Sequence, residues 1–125
     1  AERVRNDLRL MQMAAMNWST PLRFTPAIGG YSFSCPQAVA NTPCSGGTLS
    51  ISAANRAGLN TVAFDAQFEP NITFAGGTLD YDSLGRPASS CNTTCVLLAS
   101  AYTATLTGTG ATQTITVDPI SGFPR

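Results

Sequence analysis

At Thr20-Pro21 the hydrophobic period of this chain changes, and the change divides it into two unequal parts. Before it, Val4, Leu8, Met11, Ala15 and Trp18 recur at steps of four and three, the stripe of one helix face. After it, apolar residues alternate with Thr and Ser at a period of two, the pattern of half-buried strands. The residue before a proline is pushed out of the helical region, so a helix that begins at residue 2 ends near residue 18. The chain of 125 residues is therefore expected to be one α+β domain. Residues 1–19 supply one amphipathic helix, and residues 20–125 supply an antiparallel β-sandwich on which it packs.

The spacing of apolar runs predicts strands at Leu22 to Thr25, Gly30 to Ser34, Thr48 to Ser52, Thr61 to Asp65, Asn71 to Phe74 and Thr78 to Asp82. Two more are expected at Val96 to Thr107, with a break near Ser100, and at Gln113 to Asp118. In the first of these Tyr102, Ala104 and Leu106 alternate with Thr103, Thr105 and Thr107. Gly29-Gly30, Gly46-Gly47, Gly76-Gly77, Leu84-Gly85-Arg86-Pro87 and Gly108 to Gly110 punctuate the runs as turns. On the helix, Leu10 and Met13 point away from the sheet-facing stripe, so in a lone subunit they face water or await a second helix.

Charge and chemistry exclude several classes of function. Seven arginines balance seven acids and there is no histidine, so no global basic field draws in nucleic acid or an anionic membrane. Without His, the commonest general base and the commonest imidazole ligand are missing. The serines carry no nucleophile-elbow pattern, and the spacing of Asp65, Glu69, Asp80 and Asp82 marks no cleft for a carboxylate pair. The run Asp80 to Gly85 begins like a calcium loop, but Leu84 and Cys91 stand where oxygen ligands belong. A strand end entering a turn explains it better, with Gly85 at positive φ and Arg86 tied to a nearby carboxylate. The reading is of a non-enzymatic protein with no cofactor and no metal.

Cys35, Cys44, Cys91 and Cys95 make an even count, and only the last two have zinc-like spacing. Two disulfides, hence an oxidising compartment, are the expectation. Three connectivities are open; the local pairs Cys35–Cys44 and Cys91–Cys95 are favoured because each pins a loop between expected strands.

Three segments then stand in a telling order. "LDYDSLGRP" (Leu79 to Pro87) is followed by "YTATLTG" (Tyr102 to Gly108) and "QTITVDPISGF" (Gln113 to Phe123). With the opening "VRNDLRLMQMAAMN", they resemble the GspH/FimT family, the minor pilins of type IV pili and minor pseudopilins of type II secretion. The matching turn residues are Asp82, Gly85, Arg86 and Pro87. The resemblance implies a structural subunit that primes assembly or caps the tip of a type IV or MSHA-like pilus or a secretion pseudopilus. It implies an apolar helix of about 20 residues ahead of Ala1 that anchors in the inner membrane. The domain itself would lie in the periplasm, or outside the cell in a pilus. It also implies other pilins or pseudopilins as partners, with Leu10 and Met13 on the assembly face. A DNA-receptor or adhesin-like tip role is the alternative. DNA is the weaker partner, because the tail "SGFPR" carries one Arg and the turn carries only Arg86.

Overall fold

The computed structural model describes residues 2–50, 52, 56, 58, 59, 62, 63, 73–108 and 111–125. The acids Asp65 and Glu69, and parts of the strands expected at Thr61 to Asp65 and Asn71 to Phe74, lie outside the described residues.

Helix α1 runs over Glu2–Trp18. Its end is a Schellman arrangement. Ser19 takes φ 51°, its N–H reaches the Met16 carbonyl at 3.3 Å, and the Thr20 N–H reaches the Ala15 carbonyl at 3.1 Å. The stop thus satisfies two terminal carbonyls that the proline alone would leave open.

Among the described residues nine strands follow: β1 (Leu22–Ala27), β2 (Gly30–Ser34), β3 (Val62–Ala63), β4 (Thr73–Ala75), β5 (Leu79–Tyr81), β6 (Pro87–Ser90), β7 (Val96–Leu97), β8 (Tyr102–Gly108) and β9 (Ala111–Val117). They form a six-stranded sheet in the order β3-β2-β1-β5-β6-β7 and a three-stranded sheet in the order β4-β8-β9. Every pairing is antiparallel. The structure is therefore α+β, one N-terminal helix on antiparallel sheets.

The core lies where α1 and the two sheets meet. Val4, Leu8, Met11, Ala14 and Ala15 from α1 are buried with Leu22 and Phe24 of β1, Tyr31 of β2, and Leu79 and Tyr81 of β5. Phe74 of β4, Ala104 of β8, and Ile115 and Val117 of β9 close it from the smaller sheet. The sheets are joined by an aromatic cluster: Phe24 lies 5.4 Å from Tyr31 and 5.8 Å from Phe74, and Tyr31 meets Phe74 edge-on at 6.0 Å.

Two expectations about strands are corrected. Of the span Thr48 to Ser52, the described residues form no strand: residues 48–50 are irregular and Ser52 is helical. The backbone there is engaged in local turns, with the Gly47 N–H on the Cys44 carbonyl and the Ser50 N–H on the Pro43 carbonyl, both at 3.0 Å. Conversely, Pro87 ends a turn in the sequence reading but begins β6. As the first residue of a strand it needs no ladder N–H, and it pairs opposite Tyr81. The expected break near Ser100 is real and separates β7 from β8, which belong to different sheets.

Candidate functional site

Three faces of α1 carry different chemistry. The inner face holds the stripe: Val4, Leu8, Met11 and Ala15 are buried, and Trp18 packs half-buried at its end. Asp7 is also buried on this side. The Tyr31 hydroxyl donates to Asp7 Oδ2 at 2.7 Å, and Arg3 lies 4.0 Å away one turn earlier. Burial, with this bond to Asp7 next, raises the Tyr31 pKa, so the phenol stays protonated and remains the donor.

The second face receives two turns. Gln12 is buried and its Nε2 donates to the carbonyls of Gly85, at 2.8 Å, and Ser121, at 3.0 Å. One helix side chain thus holds both the "DSLGRP" turn and the "DPISG" turn. The first turn is organised by Asp82. Its Oδ1 accepts from the N–H groups of Leu84, at 3.0 Å, and Arg86, at 2.8 Å, while its Oδ2 accepts from Arg86 Nε at 2.7 Å. Gly85 is favoured by its backbone, and a side chain there would displace the flexible end of Met16. Its φ is +80°, and a Cβ there would stand 2.5 Å from Met16 Sδ. Pro87, fully buried, then starts β6. In the second turn Asp118 Oδ1 accepts from Ser121 and Ile120 N–H, which lowers the Asp118 pKa. The Tyr81 hydroxyl donates to the Gly122 carbonyl at 2.6 Å, and Arg9 lies over the Phe123 ring at 5.6 Å.

Replacing Gln12 with Leu should therefore cost about 1–3 kcal/mol, because two carbonyls lose their donor against the helix. The measurement is the midpoint of urea unfolding at unchanged slope. An unshifted midpoint would show that the two turns dock without it.

The third face is open. Met13 is 63% exposed and Met16 52% exposed. Leu10, Met13, Ala14, Met16, Asn17 and Trp18 line a shallow cavity of about 600 Å³. Of the two residues expected to face away from the sheet, Met13 does. Leu10 is corrected to half-buried: its Cδ1 would lie 3.1 Å from a Cβ placed on Gly58, and it packs against the core.

At the far end of the larger sheet the cysteines pair as Cys35–Cys44 and Cys91–Cys95. The two loops touch through Gln37, whose Nε2 donates to the carbonyls of Cys91 at 2.6 Å and Thr93 at 3.2 Å. Beneath them Asp80, fully buried, accepts two bonds from Arg23, at 2.8 and 2.9 Å, and one from the Cys91 N–H at 2.7 Å. Asp80 and Asp82 are thus both committed to framing loops. Among the described residues no group of three or more His, Cys, Asp or Glu could hold a metal ion.

Sequence reasoning missed Gln12, Gln37 and the Arg23–Asp80 pair. A Gln bordering an apolar helix stripe is a signal for Gln12. Strand register alone brings Arg23 opposite Asp80, and nothing local announces Gln37. No family model matches the chain, and no curated protein or solved structure matches it either.

Proposed function

We propose that this chain is the globular domain of a minor pilin or pseudopilin, a structural subunit that primes or caps a type IV pilus or type II secretion pseudopilus. One observation carries the reading: α1 buries one face on the β body and leaves a second, with Met13 and Met16 exposed beside Leu10 and Trp18. A helix that must pack on other helices needs such a second apolar face. The segments that resemble the GspH/FimT family add support, because Gln12 gathers their two turns onto this helix. The two disulfides suit a periplasmic or extracellular domain. Adhesion or DNA reception is the lesser reading. Arg86 and Arg125, the cations named for phosphate, each sit against a carboxylate, at 2.7 Å from Asp82 and 3.5 Å from Asp118.

Deleting the gene in its native cell should abolish pilus assembly or type II secretion, with recovery on complementation by the native gene. Met13→Asp should yield folded protein that fails to complement. Unchanged pili and unchanged secretion in the deletion strain would overturn the reading. The native gene upstream of Ala1 offers a quicker check, where the family would require a prepilin-peptidase site and an apolar run.

A further inference from the structure

The two disulfide loops are tied to each other by one side chain. Gln37 sits inside the loop that Cys35–Cys44 closes. Its Nε2 donates to the carbonyls of Cys91, at 2.6 Å, and Thr93, at 3.2 Å, both in the loop that Cys91–Cys95 closes. The start of that second loop has its own floor: Asp80 accepts from the Cys91 N–H at 2.7 Å, and Arg23 Nη2 donates to Asn92 Oδ1 at 2.9 Å. Each disulfide joins a fully buried cysteine, Cys44 or Cys91, to a half-buried one, Cys35 or Cys95. Asn92, Thr93 and Thr94 are exposed on one loop, and Ala38, Ala40 and Asn41 on the other.

We infer that the two loops form a redox-coupled latch, in which opening Cys35–Cys44 releases Gln37 from the 91–95 loop and opening Cys91–Cys95 takes from Gln37 the carbonyls that hold it. The reductant is a dithiol, and the chemistry is thiol–disulfide exchange. A thiolate of the dithiol attacks the more accessible sulfur, at Cys95 or Cys35, and the buried partner, Cys91 or Cys44, leaves as a thiolate and takes up a proton. The second thiol of the reductant resolves the mixed disulfide, so one dithiol is oxidised and one cystine becomes two cysteines. The rate depends on how often a loop opens locally to admit the attacker. Each loop is held closed by its own disulfide and by Gln37, so each disulfide protects the other. Such coupling is reciprocal: the first loop steadies the second by the factor with which the second steadies the first. The consequence lies at the surface, where the exposed residues of both loops keep one arrangement while both bonds are intact and lose it together when a dithiol opens either. The inference goes beyond the pilin reading and does not depend on it.

The test uses the 125-residue chain with both disulfides formed and dithiothreitol as the dithiol. Alkylation at timed intervals, followed by mass spectrometry of the peptides, reads each disulfide separately. Gln37→Ala leaves both bonds in place and removes only the tie. It should speed reduction of Cys91–Cys95 and of Cys35–Cys44 about tenfold, the scale set by two lost hydrogen bonds of ordinary strength. Cys35→Ser with Cys44→Ser should speed reduction of Cys91–Cys95 likewise, and adding Gln37→Ala to that pair should have little further effect. Gln12→Leu, which weakens the opposite end of the body, separates local opening from global unfolding and should leave both rates unchanged. An unchanged rate for Cys91–Cys95 in Gln37→Ala would overturn the inference. So would equal acceleration by Gln12→Leu, because the disulfides would then open only with the whole fold. A full further acceleration on adding Gln37→Ala to the cysteine pair would overturn it too, since Gln37 would then act without the disulfide behind it. If the protein lacking Cys35 and Cys44 does not fold, Gln37→Ala and Gln12→Leu decide between them.

Discussion

Replacing Asp80 with Ala is expected to remove about 3–5 kcal/mol of stability, the scale for breaking a buried ion pair by deleting one partner. The carboxylate has no exposed surface and accepts three bonds, two from Arg23 and one from the Cys91 N–H. Its removal leaves a guanidinium whose charged form was favoured chiefly by that bond. It also strands a buried N–H with no acceptor. Asp80→Asn keeps the shape but offers one acceptor oxygen in place of two, so its cost should fall between those of the native protein and the Ala variant. Urea unfolding measures both. A second readout follows from position. With its N–H anchor gone, the 91–95 loop should open more readily, and Cys91–Cys95 should be reduced by dithiothreitol faster than in the native protein. A loss under about 1 kcal/mol for Asp80→Ala would show that the pair is no better than a surface salt bridge.

Leu8→Asp should prevent folding outright, whereas Met13→Asp should leave stability within about 0.5 kcal/mol. Leu8 has no exposed surface and lies in the core shared by α1 and both sheets. A carboxylate there finds no partner and must be buried charged or take up a proton at large cost. Met11→Asp should behave alike for the same reason, since Met11 is also fully buried. Met13 is 63% exposed, so its substitution changes what the surface presents and not what the core contains. Leu10→Asp should fall between, because the segment at Gly58 and the edge of the core cover part of it. Thermal unfolding of the four variants separates these cases. Comparable damage from Met13→Asp and Leu8→Asp would mean that the open face is part of the fold.

The helix was legible because its signal is local. A 3.6-residue stripe interrupted by Thr20-Pro21 marks both its buried face and its end to within a residue, and Val4, Leu8, Met11 and Ala15 are buried as that stripe requires. The strands of strong alternation, β8 and β9, were legible for the same reason: Tyr102, Ala104 and Leu106 on β8 and Ile115 and Val117 on β9 share a face, and each outward neighbour on β8 is Thr. The segment at Thr48 to Ser52 was misread because its side chains suit a strand while its backbone is spent on turns around Cys44 and Pro43. The strand at Pro87 was missed because Ala88, Ser89 and Ser90 carry almost no hydrophobic signal. Its partner β5 makes it a strand.

What the chain by itself determined is the set of elements whose pattern repeats within a few residues, together with a composition lacking the histidines of common catalytic chemistry. What only the tertiary structure decided is every pairing between residues far apart in sequence. Gln12 reaches Gly85 and Ser121, Arg23 reaches Asp80, and Gln37 reaches Cys91. Only the fold shows that Leu10 is half covered while Met13 is open. The physical reason is that periodicity encodes which side of an element faces inward, whereas the partner of a buried polar group depends on which elements lie side by side. That is set by the packing of α1 and two sheets together, and no short window of sequence contains it.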